Sequence, residues 1–427
     1  MRNGTKPLFL KLMPVKLLSP TIGWFWSLLM SVIFLDGASY KSKLRDDVTR
    51  PYISNELWPN PQMDWQLKGG QMEVMISKVG KLHDIHLLTH QLQPEEGSFS
   101  QSVQLSFKDI DPKKIKRAGF KFGVVGAMPE EYRSNLFQSS GYLVGVTSEG
   151  KLFGPSIESK SSLPKSVLED LQLTLKVEHK GDSFDFILEA SKPSIEGKSS
   201  ALLSINKAVR LKKGLLGNLC LFADYAQKNH APAIPADIQE FQTDATFQDW
   251  QISGNKVKEN LDQTFGPVLW TQYTLHRGVM KMTAQISPLG KRNEEKAHLE
   301  LLLEGKWKRV QSSAIHEYAS TAHFRMENWN DSRPVPFRVV FQDGNKMGEW
   351  KGTIRKDPRN KNTIKLAAMS CMKDGAFPNQ YLQQNILAQN PDILFFAGDQ
   401  LYESNGGYSI VRASKIEDVA RASLNYL

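Results

Sequence analysis

From residue 51 to about residue 355 the sequence returns again and again to short apolar–polar alternations cut by turn residues, with no long stretch of helical periodicity. A period of two puts successive side chains on opposite faces of a strand, so this pattern restricts that stretch to β architectures. The clearest case spans 171–190. Leu171, Leu173, Leu175 and Val177 alternate with polar residues, Lys180-Gly181-Asp182 turns the chain, and Phe184, Phe186 and Leu188 alternate back. Short strands are also expected at 201–204, 219–223 and 247–252, with a single helical turn at 164–170. Many short strands with frequent turn signals predict a two-sheet sandwich over 51–255, of the concanavalin or laminin-G kind. A second β unit follows, with strands expected at 269–275, 279–286, 298–303, 322–327, 337–341 and 349–354. Asp343-Gly344-Asn345 is the hairpin turn between the last two. Six or seven strands in about ninety residues suit an immunoglobulin-like or fibronectin-like domain over 264–356.

Composition narrows the class. Of 427 residues, 40% are apolar and 23% charged, which excludes a disordered chain, a collagen and a polytopic membrane protein. Two cysteines, Cys220 and Cys371, exclude a disulfide-built scaffold and a zinc site of four cysteines. The net charge of +9 is unevenly placed: the first fifty residues hold eight Lys/Arg against three Asp/Glu. The rest of the chain is close to balanced, which is not the basic stripe of a nucleic-acid-specific binder.

Arg2, Lys6, Lys11 and Lys16 precede an apolar stretch at 22–35, and Gly37, Ala38 and Ser39 follow. A basic segment, a short apolar run and small residues form the layout of a secretory signal over 1–39. About fourteen apolar residues fall short of the ~20 needed to span a bilayer as a helix. The expected location is secreted or periplasmic, with an uncleaved N-terminal anchor as the competing reading. No membrane span is expected beyond this segment.

A charged, breaker-rich linker, Lys356-Asp-Pro-Arg-Asn-Lys-Asn362, separates the β region from a different pattern. Residues 364–369 form a short apolar strand, Pro378 opens a helix, and Ile393-Leu394-Phe395-Phe396-Ala397 is a continuous apolar run. Such a run suits a parallel strand buried on both faces, and strand–helix–strand is a βαβ unit. A last helix is expected from about Ser414, with Ile416, Val419, Ala420 and Leu427 on one face. Loops leaving adjacent parallel strands converge outside their carboxyl ends, where open α/β sheets bind ligands. The first loop carries Ser370, Cys371 and Asp374; the second carries Asp399, Tyr402 and Glu403. Thiolate, carboxylate and phenolate together suit a hard or borderline transition metal.

Gly398-Asp399-x-x-Tyr402 after an apolar strand resembles the second metal motif of the calcineurin-like metallophosphoesterases, in the tyrosine form shared with PhoD-like alkaline phosphatases. Ser370-Cys371, the string Phe-Phe-Ala-Gly-Asp-Gln-Leu-Tyr-Glu over 395–403 and Gly406-Gly407-Tyr408 are similar to the PhoD-like branch, as are leader stretches at 247–254 and 265–286. The resemblance implies an α/β metallophosphatase domain from 363, of which residues 363–427 are the first βαβ portion. It implies a secreted phosphatase acting on phosphate mono- or diesters through two metal ions, iron with calcium or another divalent ion. Asp399 would bridge the ions, and Cys371 and Tyr402 would ligate the more oxidised one. Asp374, Glu403 and Asn405 are candidate site-lining residues, with a helix cap the competing reading for Asp374. The pattern also calls for later histidines, and none of the nine histidines lies beyond the linker. The ligand set is incomplete, so the expectation is a sequence that breaks off early in a catalytic domain and is inactive alone.

The alternative, from another function class, is a secreted β-sandwich protein that binds a glycan or a protein partner and carries a degenerate phosphatase remnant. His83, His86 and His90 suggest zinc at helical spacing, but the segment reads as strand, with His83 opposite to His86 and His90, and as core or surface histidines. Cys220 reads as an unpaired thiol. The tryptophans and phenylalanines of the sandwich read as core before they read as a sugar-binding face.

Overall fold

The computed structural model describes residues 37–427 apart from 77–80, 112–114, 129–130, 138–139, 194–199, 213, 226–242, 290–294, 373–377, 401, 403–412, 414, 417–418 and 425–427. The proposed signal before residue 37, the candidate residues Asp374, Glu403 and Asn405, the Gly406-Gly407-Tyr408 string and the end of the last helix at Leu427 lie outside the described residues.

Two sheets face each other in the first part of the chain. One has nine strands, in the order Leu203–Arg210, Ser183–Ser191, Leu171–Lys180, Gly97–Phe107, Ala245–Gly254, Gln71–Val74, Trp65–Lys68 and Thr49–Arg50, with Ala38–Lys41 also paired to Ala245–Gly254. The other has eight, in the order Ile157–Glu158, Leu152–Gly154, Ser140–Thr147, Lys116–Val125, Gly217–Tyr225, His83–Leu92 and Val257–Glu259, with Leu57–Asn60 also paired to His83–Leu92. Alternation supplies the core: Leu173, Leu175, Phe99, Val103 and Trp250 from one sheet meet Ile85, Leu87, Phe120, Phe122, Leu219 and Leu221 from the other. The hairpin at 171–191 pairs antiparallel throughout and turns on Gly181 and Asp182, with Gly181 at φ 54 where a side chain would be strained. Ala38 and Ser39 pair with Gly254 and Ser253, so the cut expected after Ser39 falls inside the first strand.

A second, smaller sandwich follows. Three strands, Val268–His276, Val279–Ile286 and Thr321–Met326, pack on four, ordered Lys306–Ala314, Lys296–Leu303, Val335–Asp343 and Lys346–Ile354. Met280, Met282, Leu299, Phe324, Val339 and Phe341 form its own core. Gly344, at φ 58, and Asn345 make the two-residue hairpin turn. Asp343 at that turn accepts from Arg50 of the first sandwich, which is buried there.

The expectation of an α/β metallophosphatase domain from 363 is corrected here. The described chain is nearly all β, and its longest described helix is Gln380–Gln389. Around that helix the four-residue strands Leu366–Met369 and Ile393–Phe396 pair parallel, as an isolated two-stranded sheet among the described residues. The apolar run that reads as a strand covered on both faces is open instead: Ile393, Leu394, Phe395 and Phe396 are 47%, 51%, 54% and 49% exposed. A two-stranded pair with both faces open is not the doubly covered sheet of such a domain. The last helix runs Val419–Ser423; among the described residues there Ile416 is exposed, and Ala422 and Leu424 are buried.

Candidate functional site

The two loops that carry the expected ligands do converge. Met369–Phe396 register and the bond from Met372 N to Asp399 O (2.8 Å) bring them side by side. Tyr402 donates its hydroxyl to Asp399 Oδ2 at 3.2 Å, and the Cys371 thiol lies 3.8 Å from the same oxygen. Cys371 and Asp399 both adopt left-handed backbone, at φ 56 and 52, which is uncommon for residues other than glycine. The Cys371 contact first, then desolvation and the Asp399 contact, push the Tyr402 hydroxyl up to about 12. All of these groups are exposed. An open cleft at the other, N-terminal end of Ile393–Phe396 is lined by Arg355, Lys361 and Asp392, whose charges are engaged. Arg355 donates to Pro391 O (2.6 Å) and Asn390 Oδ1 (2.9 Å), and Lys361 meets Asp392 Oδ1 at 2.5 Å.

A second cluster, which the sequence did not bring together, lies on the eight-stranded sheet. In His83–Leu92, Ile85 and Leu87 turn into the core, so Asp84 and His86 face the other way; in Gly217–Tyr225 the same parity turns Cys220 outward, and in Lys116–Val125 it turns Lys121 outward. Register sets Cys220 opposite His86 on one side and opposite Lys121 on the other. The Cys220 Sγ is 3.2 Å from His86 Nδ1, and His86 Nε2 is 3.2 Å from Asp84 Oδ1. Lys121 Nζ donates to Asp84 Oδ2 at 2.6 Å. Asn218 Nδ2 lies 3.4 Å from His86 Nδ1, and Asn135, from the turn Tyr132–Leu136, donates to Asn218 Oδ1 at 3.2 Å. Every member is buried. Burial alone would raise the Asp84 pKa, but His86 and Lys121 outweigh it and hold the carboxyl well below its usual range. Burial, with Asp84, pushes the Cys220 thiol well up. Asp84, His86 and Cys220 are a group able to hold a metal ion, with ligand atoms all within 4.8 Å of one another.

The three histidines do lie on one strand, but they serve different contacts. His83 Nε2 meets Asp64 Oδ2 at 2.8 Å, and His90 Nδ1 meets Thr89 Oγ1 at 2.9 Å, so only His86 belongs to the cluster.

A third feature is the outer face of the three-stranded sheet. Past a register shift between Val268 and Trp270, Trp270 stands opposite Gln285, and Gln272 opposite Thr283, which in turn is opposite His323. Thr283 Oγ1 is 3.2 Å from His323 Nδ1, and Thr321 Oγ1 is 3.0 Å from His323 Nε2. Trp270 is 44% exposed.

No family model and no curated protein matches the sequence. Among solved structures, the chain is similar to the Emp47p carbohydrate recognition domain, at 12% identity over 50% of this chain and 96% of that one, with a TM-score of 0.28. It is similar to the Ca2+-bound VIP36 exoplasmic/lumenal domain, at 9% identity, 48% and 85% coverage and a TM-score of 0.26. It is also similar to an endo-1,3-beta-glucanase from Streptomyces sioyaensis, at 10% identity, 51% and 96% coverage and a TM-score of 0.27. Among the described residues the chain is nearly all β, and its parallel pair of strands has open faces, so the α/β phosphatase domain that the resemblance implies is not seen, and the phosphatase activity and phosphate-ester substrate expected from it fall with it. Among the described residues no helix is long and apolar enough to cross a membrane.

Proposed function

We propose that this chain is a secreted or periplasmic β-sandwich binding protein whose ligand is a neutral glycan. The reading places a signal over 1–39, sandwiches over 51–255 and 264–356, and a small appended segment over 363–427. The observation that carries it is the exposed Trp270 indole on an open sheet face, beside the uncharged hydrogen-bonding groups of Gln272, Gln285, Thr283 and His323. A flat aromatic surface stacks on the apolar face of a sugar ring, while amides and hydroxyls meet its hydroxyl groups; such sites pair an apolar body with a few placed polar groups. Lys281 and Arg325 lie on the same face but one row further along, so the groups around Trp270 favour an uncharged sugar. The test is retardation of the intact chain in gels containing mannan, β-glucan, cellulose derivatives or chitin derivatives. At least one should retard the wild type and not the Trp270→Ala variant. Free migration of the wild type in every gel overturns the proposal.

A second reading concerns the appended segment, and the convergence of Cys371 and Tyr402 on Asp399 favours it. These three residues form a metal site without a hydrolytic role. Three donors on exposed loops suit one transition-metal ion; the iron-with-calcium pair would need further ligands. Loss of bound metal in Asp399→Ala, measured by elemental analysis, supports this; unchanged metal content refutes it.

A further inference from the structure

We infer that Asp84, His86 and Cys220 form a buried structural zinc-class site in the first sandwich. Cross-strand register brings Cys220 opposite His86, with Asp84 two residues along the same strand, so the donors share one face of two neighbouring strands. They are a thiol, an imidazole and a carboxylate, the mixed S, N, O set that suits a borderline divalent ion. Calcium and magnesium, which take oxygen ligands throughout, do not suit it.

A second observation points to an ion. Asp84 Oδ1 and His86 Nε2 are buried and pair at 3.2 Å, yet neither atom has a hydrogen bond of good geometry. Buried polar atoms are almost always well bonded, and an ion beside this pair would satisfy both. Lys121 does not fill that role, because it binds the other oxygen, Oδ2. A lysine on the distal oxygen, with Asn218 beside the imidazole, is the kind of outer support that orients metal ligands. Ligand atoms around tetrahedral zinc lie roughly 3.3–3.8 Å apart, given bonds of ~2.0–2.3 Å. Atoms all within 4.8 Å of one another therefore need side-chain movements of about 1 Å to close on an ion.

Because the site is enclosed, the ion enters as the sandwich folds, and binding adds to folding stability. The test is to unfold the full chain in urea with chelator, refold it with or without Co2+, remove excess ion and record the absorption spectrum. The expected result is thiolate-to-cobalt charge-transfer absorption, with at least one ion per chain bound in the Cys371→Ser variant, which lacks the exposed thiol. That absorption should persist in Cys371→Ser and vanish in Cys220→Ser, with both variants folded by circular dichroism. X-ray absorption of the zinc-loaded Cys371→Ser protein serves if Cys220→Ser fails to fold, and should show one sulfur ligand. Absence of charge transfer in the wild type, or its loss in Cys371→Ser with retention in Cys220→Ser, overturns the site. So does a zinc shell without sulfur in Cys371→Ser. None of these outcomes depends on glycan binding.

Discussion

Arg50 holds Asp343 by two parallel hydrogen bonds, Nη1 to Oδ1 at 2.9 Å and Nη2 to Oδ2 at 2.8 Å. Arg50 comes from a two-residue strand of the first sandwich, and Asp343 closes the hairpin turn of the second. Arg45 adds a third bond to the same carboxylate at 2.8 Å, so one acidic side chain ties the two β units together.

Asp343→Ala should therefore destabilise the chain by about 3–5 kcal/mol, because it leaves the buried Arg50 charge without its partner. Urea unfolding measures this. A loss below about 1 kcal/mol, the scale of an exposed ion pair, would show that the clamp contributes little. Burial alone would raise the Asp343 pKa, but Arg50 and Arg45 outweigh it and hold it below its ordinary value. A depressed carboxylate contributes stability that is full above its unfolded pKa of about 3.9 and is lost as pH falls through the folded value. The variant should lose that part of the acid sensitivity.

Lys256 makes the opposite prediction about alkali. Its buried ammonium donates to Gln93 O at 2.8 Å and Glu95 O at 2.6 Å, and desolvation pushes it down to about 8. A lysine with a lowered folded pKa binds fewer protons folded than unfolded across that interval, so stability rises with pH from about 8 to about 10.4. Lys256→Met should flatten this rise in the urea midpoint measured at pH 7.5, 8.5 and 9.5. An identical slope in both proteins would assign it to other groups.

Phe120 sits wholly inside the first core. Phe120→Ala should cost about 3–5 kcal/mol through lost burial and a residual cavity. Hydrogen exchange should localise the loss to the first sandwich, leaving the amides of Val335–Asp343, in the separate second core, the less affected. Equal loss in both would mean that the two cores unfold as one.

The raised Tyr402 hydroxyl tests the geometry of the appended loops. Cys371→Ala should lower it toward the ordinary tyrosine value of about 10, and Asp399→Asn should do so too. Ultraviolet titration, referenced to Tyr402→Phe, resolves the one residue. No change in either variant would place the three side chains apart in solution.

What the sequence disclosed follows the range of the interaction. The hairpins at 171–191 and 335–354 were legible because alternation and a two-residue turn are local. The strand Lys306–Ala314 was missed: its Lys-Trp-Lys-Arg start carries no apolar alternation, and it lies at a sheet edge with one paired neighbour. The run at 393–396 misled because continuous apolar sequence signals burial, whereas those residues lie on a two-stranded pair with open faces. The Cys220–His86–Lys121 row could not be read at all. It depends on which strands become neighbours, and the chain between them is silent on that. Trp270 shows the same limit: its exposure arises where the register shifts beside it.

The most direct test of the account is a calorimetric titration. An oligosaccharide of whichever polymer retards the intact chain is added to the wild type and to Trp270→Ala, with both shown to unfold at the same urea concentration. The account predicts a Kd at least about tenfold weaker in the variant, a loss of roughly 1.4 kcal/mol or more. Equal affinity in the two proteins would contradict it and remove the glycan site from this face.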